Sequence, residues 1–244
     1  MSSYKGHTVF AVMLSFLMFY NPLAISLAIL GANFPDFDHE FKQNQVLTIL
    51  ALGIITVCFL YFLNLPIYLG LILILLSLIF LFSSHRGFTH SIMGVLIQGV
   101  LIFLLIFCAL DLAMSFNPQS NINIPINLLL AFILLAVLGI FFLNKKVAIL
   151  NTVFIISSIF LLYFGVLPIF KLDIRMVVFS IYLGLFSHLI LDSFTPSGIR
   201  IFSPFIKNEY HKKAGILIFA LLLASYFILF SQYLPFYKFF LNCA

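Results

Sequence analysis

The sequence is poor in charged residues. Only 8% of its 244 residues are Asp, Glu, Lys or Arg, whereas 64% are hydrophobic. Soluble domains carry about 25% charged and about 45–50% apolar residues, so this chain has too few polar side chains to cover a surface in water. The soluble, fibrous and disordered classes are therefore excluded, and the composition predicts a polytopic membrane protein.

Cysteine is scarce as well. The three cysteines, Cys58, Cys108 and Cys243, form no Cys-x-x-Cys pair, and the first two lie inside apolar segments. An odd number at this spacing predicts neither a disulfide framework nor a thiolate metal site. The first apolar stretch also lacks a small-residue cleavage site, so no secretory signal peptide is predicted.

Long apolar segments fill most of the chain. Each span needs about 20 apolar residues, and these segments are separated by short polar turns, so they predict about seven spanning helices. No internal repeat or polar domain is visible, and we expect a single integral-membrane domain over residues 1–244. The predicted spans are residues 46–63, 67–82, 92–112, 126–143, 147–170, 174–192 and 214–234.

Residues 8–34 form a different apolar stretch, because Asn21-Pro22 interrupts it. Proline removes a helix hydrogen bond and biases the preceding residue away from helix. One kinked span of ~27 residues would separate its two ends by ~40 Å. Two short helices, over about 8–20 and 23–33, would instead return the chain to the same face. The pattern leaves both open.

The few ionisable residues are clustered. Burying such residues in a membrane is costly, which makes each of them a functional candidate. Five of the six histidines and three of the seven acids fall in four short segments. Imidazole and carboxylate together are ligands of Zn, Mn or non-haem Fe. The candidate metal ligands are His7, Asp36, Asp38, His39, His85, His90, His188 and Asp192.

The spacing within these segments supports a common site. His188 and Asp192 are four residues apart in a predicted helix and therefore share one face. His85 and His90 bracket a turn that contains glycine, and a third segment directly follows Pro35. Each pattern alone is also typical of a helix cap or an interfacial hydrogen-bonded pair. The coincidence of all four favours one shared metal site.

The segment His85-Arg86-Gly87-Phe88-Thr89-His90-Ser91 resembles the HRGxTHS signature of the YdjM-like family, prokaryotic membrane-bound proteins regarded as metal-dependent hydrolases. The resemblance covers residues 6–205 and implies metal binding and hydrolysis without specifying a substrate. A weaker similarity, to zinc-dependent phospholipase C-like and nuclease-like enzymes, suggests phosphoester chemistry. The other matching segments are Gly6-His7, Gly31 to His39, His188-Leu189 with Asp192, Thr195-Pro196 with Gly198, and Ser203-Pro204.

The position of His7 decides between the two interpretations of residues 8–34. One long span would place His7 across the membrane from Asp36, whereas a helical hairpin puts all four segments on one face. We therefore predict an all-α membrane bundle of about seven spanning helices with an N-terminal helical hairpin.

The basic residues predict which face this is. The hairpin arrangement gives nine basic residues on the face of the clusters against three on the other, and the single span gives eight against four. The positive-inside rule makes the richer face cytoplasmic in either case. The nine are Lys5, Lys42, Arg86, Lys145, Lys146, Arg200, Lys207, Lys212 and Lys213, against Lys171, Arg175 and Lys238.

Eight candidate ligands exceed the needs of one ion, so we expect two divalent ions about 3.5–4 Å apart, with zinc favoured over manganese or iron. The ions would activate a water molecule, and Asp36, Asp38 and Asp192 are the candidate catalytic carboxylates. Arg86 is the candidate for binding a substrate phosphate, because a guanidinium can donate two parallel hydrogen bonds to phosphate oxygens. Supporting hydrogen bonds are expected from Thr89, Ser91, Ser187 and Ser193.

A site at the lipid–water boundary predicts a membrane lipid or another amphiphilic phosphoester as substrate. Two alternatives remain open: a metal or proton transporter, and a non-enzymatic membrane protein stapled by a structural metal. Transport sites usually lie near the bilayer midplane, whereas these candidates lie at span ends. The sequence has no basic stripe typical of nucleic-acid binding and no evident signal for an obligate protein partner.

Overall fold

The structure, a computed structural model, describes residues 4–38, 42–84, 87–116, 125–170, 172–206 and 208–230. In these ranges the regular elements are helical, apart from an isolated bridge between Ile199 and Tyr210. The predicted all-α class is confirmed. The helices are α1 Tyr4–Phe19, α2 Pro22–Asn33, α3 Gln43–Phe62, α4 Tyr68–Phe82, α5 Ile92–Ser115, α6 Ile126–Phe142, α7 Lys145–Tyr163, α8 Ile174–Ser193 and α9 Lys212–Phe230, with short 3₁₀ turns at Pro35–Asp38 and Phe88–His90.

Helices α3, α5, α7, α8 and α9 are long and apolar enough to cross a membrane. Each of the seven predicted spans corresponds to a helix, but α4 and α6 are shorter, with 15 and 17 residues. Many large apolar side chains face outward, including Phe62 and Phe82, which are 82% and 85% exposed. An apolar outer surface of this extent is suited to lipid. The protein is a multi-pass helical bundle.

Helices α1 and α2 form the hairpin that the sequence predicted. Tyr20 has a φ of +45° and turns the chain, and Asn21 caps α2 by accepting a hydrogen bond from the Leu23 N–H. Pro22 lies in the first turn of α2, where its missing N–H is tolerated. The Asn33 side chain donates to the Thr8 hydroxyl at 3.0 Å, which joins the end of α2 to the start of α1. Residues 8–34 therefore do not form a single kinked helix.

Helix α8 lies at the centre of the bundle and contacts α1, α2, α5 and α9. It runs parallel to α2 with very small residues at the contact. A Cβ atom built on Gly31 would lie 2.5 Å from the Ile181 carbonyl oxygen, and one on Gly184 would lie 2.8 Å from the Ala32 backbone nitrogen. Both clashes involve backbone, so only glycine permits this close approach. Small residues allow the backbones of many membrane helix pairs to approach closely in the same way.

Four phenylalanine rings pack beneath the Pro35–Asp38 turn. Phe34 and Phe37 each contact Phe80 from the end of α4 and Phe142 from the end of α6, with ring centroids 4.9–5.5 Å apart. All four side chains are at most 4% exposed. This cluster holds the turn against two helix ends and fixes where its acidic residues lie.

We expect Gly184→Ala to destabilise the protein by about 1–3 kcal/mol, the usual cost of overpacking a core. The Cβ of the new alanine would push the α2 backbone away from α8. The melting temperature in detergent, followed by circular dichroism, measures this. Gly139→Ala is the matched control, since its Cβ first meets the Asn151 side-chain nitrogen at 3.2 Å. Equal melting of the two variants would contradict the importance of the α2–α8 contact.

Candidate metal centre

Five predicted ligands from four parts of the chain meet at one end of the bundle. His7 comes from α1, Asp36 from the turn after α2, His90 from the turn before α5, and His188 with Asp192 from the end of α8. The Asp36 side chain is 14% exposed, whereas the other four side chains are 0–3% exposed. The hairpin is what brings His7 to this end.

Four of their atoms face one another at short range. His90 Nε2 lies 3.5 Å from Asp36 Oδ1 and 3.6 Å from Asp192 Oδ2. His188 Nε2 lies 3.6 Å and 3.2 Å from the same two oxygens. A tetrahedral ion with bonds of about 2.0–2.2 Å separates its ligand atoms by about 3.3–3.6 Å. Each of these four histidine–aspartate separations therefore matches that of two ligand atoms on a single ion.

His7 extends this group in a second direction. Its Nε2 lies 3.5 Å from Asp192 Oδ1, the carboxylate oxygen that does not face the first group. Its ring stacks on that of His188 at a centroid distance of 3.8 Å. Ligand atoms of His7, Asp36 and His188 also lie within 4.8 Å of one another. Asp192 thus presents one carboxylate oxygen to His7 and the other to His90 and His188.

The orientation of His188 indicates that a cation fits here. Its Nδ1 lies 2.7 Å from the Ala32 carbonyl oxygen, and because a carbonyl only accepts, Nδ1 carries a proton. Its Nε2 makes no hydrogen bond within the described residues, although it faces Asp36 and Asp192. A buried lone pair beside two carboxylates needs a proton or a metal ion between them. The donor set and its spacing fit a divalent metal.

Asp38 lies on the other side of the His90 ring from Asp36. Its Oδ2 is 3.4 Å from His90 Nδ1 and accepts a hydrogen bond from the Thr89 hydroxyl. The Thr89 oxygen is itself 3.1 Å from His90 Nδ1. This is the arrangement in which a carboxylate orients a ligating histidine from behind. The structure therefore places Asp38 outside the two groups of possible ligands.

The surroundings favour the charged forms of Asp36 and His90. Burial alone would raise the pKa of Asp36, but the charges of His188 and His90 hold this pKa well below its usual range. Burial alone would lower the pKa of His90, but hydrogen bonds to Asp36 and Asp38 raise it. A metal ion that binds here must displace the proton that His90 otherwise holds.

The remaining predicted site residues either lie outside the described residues or form hydrogen bonds elsewhere. His39, His85 and Arg86 lie outside the described residues. Among the predicted supporting hydroxyls, Thr89 contacts His90 and Asp38, but the other three donate to backbone carbonyls within their own segments. These are Ser91 to Phe88, Ser187 to Gly184 and Ser193 to Ile190; Ser91 also caps α5 by accepting from the Gly94 N–H.

Two nearby residues were missed by the sequence analysis. The fully buried Gln98 of α5 donates to the Thr89 carbonyl oxygen at 2.9 Å and so supports the turn that carries His90. Lys42, counted above only as a topology signal, is 6% exposed and lies beside Phe37. The sequence offered one signal for each residue. Gln98 is a single amide within an apolar segment, and Lys42 follows the candidate ligand His39 by three residues.

The fold and this cluster define a multi-pass integral membrane protein with a histidine–aspartate centre at one end of its bundle. A family model described as YdjM inner membrane protein matches residues 1–241, so the chain belongs to that family. This confirms the resemblance drawn from the HRGxTHS motif. Comparison with curated proteins and with solved structures found no match.

We expect Thr89→Val to weaken binding of a divalent metal about 10–100-fold, because Asp38 would lose the hydroxyl that holds it behind His90. Titration of Zn²⁺ against a competing chelator measures the affinity. Thr48→Val is the control, since the Thr48 hydroxyl is exposed and donates to Asn44 in its own helix. Unchanged affinity in Thr89→Val would contradict this role.

Proposed function

We propose that the protein is a membrane-embedded, metal-dependent hydrolase with two divalent ions at one end of its helix bundle. The supporting observation is the set of four atoms from Asp36, His90, His188 and Asp192 at 3.2–3.6 Å, with His7 against the second oxygen of Asp192. Imidazole with carboxylate favours zinc, with manganese or iron as alternatives. His39 and His85 remain candidates for completing either coordination shell.

A divalent ion in such a site lowers the pKa of water and stabilises negative charge that develops on the substrate. The protein's own part is to hold the ligands in fixed orientations. The Ala32 carbonyl orients His188, and Asp38 orients His90. Asp36 has the most exposed side chain of the five, so we expect water and substrate to approach the centre from its side. We assign Asp36 the role of receiving the proton of the attacking water.

The place of the centre in the bundle indicates the substrate class. His188 and Asp192 lie within the last six residues of α8, and so within about 8 Å of its end. The end of a spanning helix meets water at the membrane surface. The surrounding helices expose apolar side chains that suit lipid. Two-metal centres commonly act on phosphoesters. A lipid or another amphiphile with a phosphoester in its head group satisfies both conditions.

We expect purified protein to contain about two metal ions per chain, measured by inductively coupled plasma mass spectrometry, and to release phosphate or a head group from a phospholipid panel. His188→Ala should reduce the metal content, and Asp192→Asn should lower turnover at least about 100-fold. The control is His211→Ala, because His211 is exposed and outside the cluster.

A folded chain that stays metal-free after metal is added would contradict both the metal centre and the hydrolase. A chain that holds its metals but turns over none of the panel, and loses its fold in His188→Ala, would instead support a structural metal.

We further propose that the centre faces the cytoplasm. The start of α1, both 3₁₀ turns and the end of α8 lie at the same end of the bundle. Most of the basic residues that the structure describes lie in segments at this end, and basic residues are enriched in cytoplasmic loops.

Cysteine labelling tests this orientation in a variant lacking Cys58, Cys108 and Cys243. Ser197 follows α8 at the end of the centre, and Asn64 follows α3 at the opposite end; both are exposed. We expect a membrane-impermeant maleimide to label Asn64→Cys but not Ser197→Cys in intact cells. The reverse pattern would place the centre outside.

A further inference from the structure

Lys42 is a buried lysine beside the metal centre. It directly precedes α3, and its residue is only 6% exposed. Lysine is almost never fully buried unless a partner of opposite charge accompanies it. Its burial at the end of the bundle that carries the candidate centre therefore calls for a chemical explanation.

Among the described residues, the surroundings of the Lys42 ammonium attract its charge but provide no hydrogen-bond acceptor. The Nζ atom lies 4.2 Å from the centroid of the Phe37 ring and 4.6 Å from that of Tyr4. These cation–π contacts offset part of the cost of removing the charge from water. However, Nζ makes no hydrogen bond within the described part of the chain, and an ammonium has three N–H donors. Three N–H donors without an acceptor among the described residues can serve a ligand.

Both aromatic neighbours belong to elements of the metal centre. Phe37 lies between Asp36 and Asp38 in the 3₁₀ turn, and Tyr4 precedes His7 by three residues in α1. The charges of Asp36 and Asp38 act on Lys42 electrostatically. Burial lowers the pKa of Lys42 to about 8, so the side chain is still mainly a cation at neutral pH. A positive group therefore lies at the edge of the centre, close to its most accessible ligand, Asp36.

We propose that Lys42 is an anion-binding residue of this centre, whose ammonium donates hydrogen bonds to an oxygen of a bound phosphate group. An ammonium is a compact charge that binds phosphate well, and the aromatic walls keep water from competing. This inference rests on the proposed function, since it names the group that positions the substrate. The phosphate belongs either to a lipid head group or to free inorganic phosphate.

Substitution of Lys42 separates binding from folding. Methionine has a similar length without the charge, and replacing a buried charge with an apolar residue is often neutral or stabilising. We therefore expect Lys42→Met to melt no lower than the wild type while its phosphate affinity falls at least tenfold. Lys42→Arg should retain most of the affinity. Lys146→Met is the matched control, because Lys146 is an exposed lysine at the start of α7, at the same end of the bundle.

The measurement is isothermal titration calorimetry of the zinc-loaded protein in a neutral detergent, with two probes. One is inorganic phosphate, and the other is phosphatidic acid in mixed micelles, with phosphatidylcholine micelles as the blank. Weaker binding of both probes to Lys42→Met supports a general phosphate subsite. Weaker binding of phosphatidic acid alone supports a lipid head group as the source. Wild-type affinity of Lys42→Met for both probes, or no binding of either probe to the wild type, overturns the inference.

These outcomes are distinct from those of the hydrolase test. If phosphate binding depends on Lys42 but the protein hydrolyses no substrate, the anion subsite is supported and the hydrolase proposal is contradicted. If the protein hydrolyses a substrate and Lys42→Met binds phosphate with unchanged affinity, the subsite is contradicted and the hydrolase proposal is supported.

Discussion

The backbone contact between α2 and α8 is the constraint on which the centre depends. Gly31 and Gly184 let the two helices approach until no Cβ atom fits between them. One turn beyond Gly184, this approach brings the His188 ring within 2.7 Å of the Ala32 carbonyl oxygen. That hydrogen bond fixes which nitrogen of His188 faces the carboxylates. A contact between small residues thus determines which atom of a candidate ligand faces the carboxylates.

The rest of the centre is assembled by burying polar groups against one another. The Gln98 amide supports the Thr89 backbone, the Thr89 hydroxyl holds Asp38, and Asp38 lies behind His90. Each of these groups would be costly to bury alone. In this series, each polar group contacts the next, which offsets the cost of its burial. The same arrangement restricts His90 to one orientation, which suits a ligand better than a flexible side chain.

Much of this arrangement was predictable from local patterns. Apolar segments of spanning length predicted the seven helices α3 to α9. Pro22 after Asn21 left a kinked span and a hairpin both open, and the position of His7 favoured the hairpin that is observed. The clustering of histidine and aspartate in an apolar chain singled out the candidate ligands, because such residues are rarely buried in membranes without a function. By contrast, the sequence assigned Lys42 only a role in topology. Its burial depends on the rings of Tyr4 and Phe37, which pack around it only in the folded chain.

The sequence by itself determined the membrane class, the helical architecture and the family, because hydrophobicity, helix breaks and a contiguous motif are local properties. Only the tertiary structure decided which atoms face one another. Asp36 and Asp38 are two residues apart, yet they lie on opposite sides of the His90 ring. No residue spacing predicts this, because it follows from the 3₁₀ turn, the phenylalanine cluster beneath it and the closeness of α2 to α8. Distances of this kind are set by contacts between segments far apart in the chain, which local patterns do not encode.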